Sequence, residues 1–559
     1  MGDILIRGGI MIDGTGSPGR RADVRIRTGR IVEVAPTLAS DGERVLDASG
    51  CYVSPGFIDV HTHLDPTMHW DATCDPMPQH GVTSVLTGNC ALSLAPLRAH
   101  EREELIDLFC YIEDLDPELF AERISWDWES FGEYIESISG RSYSLNAALM
   151  VGHNLLRLYV MGERAWEQGA SDDERAQIAE LLDGAMRHGA FGLTTCLGFD
   201  TDRDRRPVPA RLADDAELSS LIQVLGDHEG SVQYNFDTRD GLREPVIRMA
   251  ELCRPCDVVN TWLGIVHRTG SPDNAQAILD WVSQVQATGA RTYPQITPRP
   301  LDFNINWSGG MSMDRLVNGW FRVVQATDAE KVRLLRSDQW RLVAREEWDR
   351  VPRAMIPHQA TERLRLLTVA RPENAHWLGA TLADLVAARG GHPSDVLADW
   401  LLENDLRPGV VAVGVANEDP CGVGETLAHP AGVIGNSDAG AHVKMMCAAG
   451  DSTLLLARHV RDRADLTIEQ GIHKITGQPA EVFGFHDRGK IRVGAYGDLT
   501  VFDLDALHWD QDVWANDLPG GRSRLRRPEG GYRATIVAGQ VTQEDGTLTE
   551  ARPGRILRH

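Results

Sequence analysis

The chain lacks any run of the eighteen or so unbroken apolar residues that a membrane-spanning helix requires. Its start, Met1-Gly2-Asp3-Ile4-Leu5, has no basic segment leading into an apolar core, so no secretory signal is expected. Positive charge is short as well: 56 Lys and Arg face 81 Asp and Glu, for a net charge of −25. Such a balance repels nucleic acid and anionic membranes, and neither is expected as a partner. Cysteine is sparse, nine in 559 residues, which fits reduced thiols in a cytoplasmic protein better than a disulfide framework. Cys253 and Cys256 form one Cys-x-x-Cys with no second pair at zinc-knuckle spacing, so they read as structural. What remains is globular composition, 42% hydrophobic and 25% charged, in a chain long enough to bury a large core.

Both ends of the chain are β-rich. Ile4-Leu5-Ile6-Arg7, the alternating Ala22-Asp23-Val24-Arg25-Ile26-Arg27 and Arg30-Ile31-Val32-Glu33-Val34 read as strands punctuated by Gly turns. Gly497–Asp503 and Arg533–Gln540 supply similar strands at the far end. Neither part is large enough to bury its own core, which predicts one small β-sandwich domain assembled from residues 1–55 and 486–559. Between them, residues 56–485 alternate strand and helix. Eight candidate strands fall at Gly56–Asp65, Gly81–Cys90, Leu145–His153, Gly189–Cys196, Ser231–Thr238, Val258–His267, Ala290–Pro298 and Ala431–Asp438. A helix signalled by the capping box Ser171…Glu174 lies between two of them, and another starts at Thr467…Gln470 and is expected to end near Gln478-Pro479. Eight β/α units predict an α/β fold of the TIM-like (β/α)8 barrel type, whose chemistry sits at the carboxyl ends of the strands. Insertions at 97–144 and 301–430 follow strand ends and are expected over the barrel mouth. Within the second, the charged run Asp328–Asp349 reads as a solvated helix face, while Trp307 and Trp320 fit either an aromatic pocket or packing of a lid.

The first barrel strand ends in His61-Thr62-His63. On an extended strand, residues i and i+2 share a face, so both imidazoles reach one point. Alone, such a pair is a weak metal signal. Other strand ends strengthen it: Cys90 closes the second strand, Asp237 the fifth, His267 the sixth and Asp438 the eighth. Imidazole, thiolate and carboxylate are all ligand types for a borderline metal such as zinc.

Gly56-Phe57-Ile58-Asp59-Val60-His61-Thr62-His63, the flanking β segments, Ser437-Asp438 and Pro479-Ala480-x-x-Phe483-Gly484 resemble the amidohydrolase superfamily. Gly81-Val82-Thr83-Ser84-Val85-Leu86-Thr87-Gly88-Asn89-Cys90, Tyr293-Pro294, Ser437-Asp438-Ala439-Gly440-Ala441-His442 and Asp487-Arg488-Gly489 resemble its D-aminoacylase (N-acyl-D-amino-acid deacylase) branch. The resemblance covers nearly the whole chain. It implies one or two zinc ions and hydrolysis of a linear carboxamide such as an N-acyl amino acid, with Asp438 moving the proton between water and leaving amine. It also implies that Cys90 replaces the carboxylated lysine that bridges two metals in other branches; the fourth strand, Phe191-Gly192-Leu193-Thr194-Thr195-Cys196, has no lysine.

Two departures stand out. The branch carries a histidine on the fifth strand where this chain has Asp237-Thr238-Arg239, so Asp237 is either a metal ligand or a loop carboxylate paired with Arg239. One ion held by His61, His63, Cys90 and Asp438 and two ions are both compatible with this pattern. The branch also carries a lysine two residues past the sixth-strand histidine, where this chain has Thr269. Arg268 and Lys444 are the candidate substitutes for holding a substrate carboxylate. Tyr293, His442 and His153 are the other candidates on the substrate side. Two rival readings stand beside the deacylase: ring opening of a cyclic amide, and a binding protein that has lost part of the metal site. A small-molecule amide is the expected partner, and a homo-oligomer is compatible with the sequence.

Overall fold

The computed structural model describes residues 3–198, 200–237, 241–270, 272–310, 318–351, 356–435 and 437–559. Thr238, Arg239 and Asn436 lie outside them. The chain is of the α/β class. Its centre is a set of parallel strands: β1 (Phe57–Thr62), β2 (Val82–Thr87), β3 (Asn146–Leu149, resumed at Val151–Gly152), β4 (Gly192–Cys196), β5 (Ser231–Asn235), β6 (Val259–Ile265), β7 (Thr292–Ile296) and β8 (Val433–Ile434). Each falls inside a stretch expected from the sequence. Neighbours in the chain are neighbours in the sheets, and every pairing from β1 to β8 is parallel. Past β8, Ala439 bridges Thr62 in parallel, which returns the hydrogen bonding to β1. Strands buried on both faces are near-continuous runs of apolar or hydroxyl side chains, broken mainly where a polar group serves the site. In β2, Val-Thr-Ser-Val-Leu-Thr is buried at every position.

The connecting helices obey the local signals. Ser171 and Glu174 form the expected capping box on Asp172–Arg187, which buries Ile178, Leu182, Ala185 and Met186. Thr467 and Gln470 cap Ile468–Ile475, but this helix stops at Thr476, before the expected Gln478-Pro479 end. A new helix, Gly477–Phe483, starts there and takes Pro479 in its first turn. The missing proline N–H costs nothing at that point, because first-turn donors have no partner within the helix. No helix among the described residues is long and apolar enough to cross a membrane.

Both insertions are built. The first follows β2 and contains helix α1 (Arg102–Glu113), then Pro117–Arg123 and Phe131–Ser139. The second follows β7 and has its own antiparallel sheet, Leu301–Asn304, Gly409–Ala416 and Leu364–Thr368. It also has its own core, in which Trp307, Trp320, Trp340, Trp348 and Trp400 are buried with Leu334, Leu335 and Leu397. The charged run therefore becomes two helices, Asp328–Leu335 and Asp338–Arg350, each solvated on one face and packed into this core on the other. Trp307 and Trp320 pack against one another (ring centroids 6.1 Å apart) and serve the insertion's core. Trp320→Ala is expected to cost about 3–5 kcal/mol, since it empties a fully buried site. Denaturant unfolding checks this, and a loss below about 1 kcal/mol would refute the packing role.

The two ends of the chain meet in one seven-stranded sheet. Leu499–Phe502 pairs antiparallel with both Tyr52–Pro55 and Tyr532–Val537. A four-stranded sheet made from Ile4–Arg7, Asp23–Arg27, Arg30–Ala35 and Arg44–Asp47 joins it. Ile4, Val24, Ile26 and Val53 share a core with Leu499, Val501, Ala534 and Ile536. The polar stretch between the C-terminal strands carries a hairpin that the sequence did not signal, Val513–Leu518 with Arg522–Arg526.

Candidate metal centre

The site is built where β1, β2 and β8 end. His61 and His63 lie on one face, fully buried, with ring centroids 5.5 Å apart. Past β2 the chain turns sharply through Gly88-Asn89-Cys90. Gly88 has φ +89°, and a Cβ there would lie 2.5 Å from the Met150 carbonyl, so glycine is required. The Asn89 side-chain amide donates to the carbonyls of Thr62 and Leu86, and the Cys90 N–H donates to Gln233 Oε1 on β5 at 3.0 Å. Thr194 on β4 donates to the Gly88 carbonyl and accepts from Ala91 N–H. Three strands thus hold Cys90 in the left-handed region, φ 56°.

Past β8, the Asp438 N–H and the Ser437 hydroxyl both donate to the His61 carbonyl, and His63 N–H donates to the Ala439 carbonyl. The buried Arg299 donates to the Ser437 carbonyl at 2.8 Å. Gly440, at φ +94°, passes so close to the His63 carbonyl that a Cβ would sit 2.6 Å from it. Asp438 (φ 58°) and His442 (φ 50°) are left-handed too, like Cys90 and Asp114 (φ 60°). Non-glycine residues held in this region concentrate where structure over-determines geometry, typically at functional sites.

These restraints bring donor atoms together. Among the described residues, His61, His63 and Cys90 form the one group of three or more metal-binding side chains whose ligand atoms all lie within 4.8 Å of one another. Cys90 Sγ is 3.5 Å from His61 Nε2. Asp438 Oδ1 is 3.1 Å from His61 Nε2 and 4.0 Å from His63 Nε2. Gln295 on β7 accepts from His61 Nδ1 at 2.7 Å, while its amide nitrogen faces Thr261 at 3.3 Å. That bond places the proton of a neutral His61 on Nδ1 and leaves a lone pair on Nε2. A lone pair, a sulfur and a carboxylate oxygen then face one another, an arrangement that a cation reconciles. The donor set fits a metal.

The electrostatics agree. Burial, and then the charge of His61, lowers His63 to about 3, so it stays a neutral ligand. Burial, reinforced by the carboxylates of Asp438, Glu113 and Asp200, pushes the Cys90 thiol well up; a bound cation is what would keep it a thiolate. Burial raises the Asp438 carboxyl, while positive charge at the site, borne by imidazolium in the metal-free protein and by the cation when one is bound, holds it well below the usual range.

The other residues singled out in the sequence are placed as follows. Asp237 is half-buried and stands outside the group of three, and Arg239, its alternative partner, lies outside the described residues. His267 is also outside the group; its N–H donates to Asn417 Oδ1 at 2.7 Å, and its Nε2 lies 3.7 Å from Asp419. His442 neighbours Asp438 and sits 3.8 Å from the Glu113 carboxylate. Lys444 is half-buried beside Asp114, which accepts from its backbone N–H. Arg268 is exposed. Thr269 donates to Glu418, whose carboxylate is 3.8 Å from Arg363. Tyr293 packs against an apolar cluster with Ile58, Val60 and Leu86, one pleat below Gln295. His153 is fully buried with both ring nitrogens engaged, by Thr195 at 2.9 Å and Glu217 at 2.8 Å, so no ring nitrogen is left for a substrate. The sequence did not point to Gln295, Asn417 or Glu113. Gln295 lies two residues past Tyr293 on one strand, and alternation reaches it; Glu113 sits in an inserted helix that carries no motif.

This fold and this cluster belong to a known class. The chain is a member of the amidohydrolase family, whose model matches residues 44–543. It is similar to N-acyl-D-aspartate deacylase of Alcaligenes xylosoxydans xylosoxydans, at 28% identity over 99% of this chain and 95% of that one, and to D-aminoacylase of the same organism, at 27% over 99% and 97%. A solved D-aminoacylase structure, described for its binuclear metal centre with one-metal activation and second-metal attenuation, matches the whole of both chains with a TM-score of 0.67 and 26% identity.

Proposed function

We propose that this amidohydrolase uses zinc to cleave the amide of an N-acyl amino acid, releasing the acyl group from the amine. The observation that carries the reading is the approach of Cys90 Sγ and Asp438 Oδ1 to the one imidazole nitrogen, His61 Nε2, at 3.5 and 3.1 Å. His61, His63 and Cys90 would hold the ion, with Asp438 at its edge. When bound, such an ion acidifies water and polarises a carbonyl oxygen. Asp438, whose Oδ1 lies 3.1 Å from His61 Nε2, would take the proton from the attacking water and return it to the leaving amine. Gln295 keeps the His61 ring in the tautomer that presents Nε2 to the site. A single ion is the favoured count, since Asp237 and His267 stand outside the compact group. N-acyl-D-amino acids are the favoured substrates, following the relatives' activities.

The architecture that goes with this reading is a closed (β/α)8 barrel, residues 56–485, with the 97–144 and 301–430 insertions around its mouth. Residues 1–55 and 486–559 would form the small β domain.

The test is a hydrolysis screen of N-acyl D- and L-amino acids on protein purified without chelator, with metal content measured in parallel. About one zinc per chain is expected, in keeping with a single four-ligand site. Amide turnover should be lost on chelation and regained with zinc. Protein that holds no stoichiometric metal, or that turns over equally well after chelation, would overturn the reading.

A further inference from the structure

We propose that Glu113 is a positioning residue of the metal centre, a buried carboxylate delivered by the first insertion that orients His63 toward the ion. The inference rests on the metal-centre reading above. Glu113 Oε1 lies 3.2 Å from His63 Nδ1, the outer ring nitrogen, while Nε2 of the same ring faces Asp438 at 4.0 Å. Its other oxygen lies 3.8 Å from His442 Nε2, and its backbone carbonyl accepts from His442 N–H at 2.6 Å. One residue of the insertion is thus attached to both the β1 end and the loop past β8.

A purely structural role explains this placement poorly. Glu113 is the last residue of α1, where the helix dipole opposes negative charge. Its side chain is 2% exposed, and burial, reinforced by the carboxylates of Asp438, Asp200, Asp65 and Asp114, pushes its carboxyl well above the usual range. Burying an anion among anions is costly unless cationic or hydrogen-donating groups compensate. The groups that touch it are the imidazoles of His63 and His442. A carboxylate on the outer nitrogen of a metal-bound histidine fixes its tautomer and makes it a stronger ligand. The two histidines are then backed differently: His61 by the amide oxygen of Gln295, and His63 by the carboxyl group of Glu113.

The test compares zinc affinity of wild type and Glu113→Gln by competition with a chromophoric chelator, starting from metal-stripped protein. Glutamine keeps the shape and removes the acidic group, so it can never become a carboxylate when a cation binds. A dissociation constant raised about 10–100-fold is expected, with the melting temperature of the metal-free protein little changed. Hydrogen exchange gives an independent readout: zinc should slow exchange across residues 102–113 in wild type and do so less in the variant. Equal zinc affinity in the two proteins overturns the proposal. If Glu113→Gln fails to fold, wild-type exchange decides, and zinc that leaves 102–113 unprotected overturns it. Wild type that takes up no zinc fails the metal reading itself, whereas tight binding that the substitution leaves intact fails this inference alone.

Discussion

Asp438→Asn is expected to lower kcat by about 10²–10⁴-fold, the usual worth of a positioned general acid–base group. The substitution keeps size and hydrogen-bonding shape, and the backbone restraints on this residue do not involve its side chain. The Asp438 N–H still donates to the His61 carbonyl, and Arg299 still holds the Ser437 carbonyl. Fold and stability should therefore survive. What is lost is the anion. Asparagine accepts no proton at neutral pH, so neither water nor leaving amine is served. Steady-state kinetics with metal content measured on the same sample decide the matter. A variant that retains wild-type kcat removes Asp438 from the chemistry.

Cys90→Ala is expected to abolish stoichiometric zinc after gel filtration, with at least about a 100-fold loss of affinity, more than an outer partner of a ligand is worth. Among the described residues, the thiol is one of three side chains in the compact group. Its loop is held through the Cys90 N–H and the Asn89 side chain, so removal of the sulfur leaves the turn in place. Cys421→Ala, which removes an exposed thiol, is the control and should change nothing. If Cys90→Ala binds zinc as tightly as wild type, the centre lies elsewhere, and Asp237 with His267 becomes the place to look.

Much of this was legible in the sequence, for physical reasons. Strand ends announce themselves: an apolar run that stops at a polar, ligand-type residue marks both element and orientation, and it singles out His61, His63, Cys90 and Asp438, which lie together in the structure, along with Asp237 and His267, which stand outside that group. Capping boxes at Ser171 and Thr467 are local hydrogen-bond patterns and so are visible locally. Less legible was whatever depends on contacts across the molecule. Whether His153 faces a substrate or a buried carboxylate is decided by Glu217 on another helix. Trp320 could not be assigned to pocket or core without knowing that Trp340 and Trp348 meet it. Glu113 is invisible in sequence because an acidic residue near the end of a charged helix is ordinary until His63 is seen beside it.

The sheet that unites the chain's two ends has a consequence for synthesis. Val53 pairs with Val501, so roughly 450 residues must be translated before strand Tyr52–Pro55 meets its C-terminal neighbour, on the order of 20–90 s at about 5–20 residues per second. Throughout that interval one edge of this strand, beside the nascent β1, keeps its backbone donors and acceptors open, a template for pairing with the wrong chain, while its other edge can pair with Ile10–Met11. Yield in a heterologous host should therefore depend on chaperone supply and translation speed more than on the finished protein's stability.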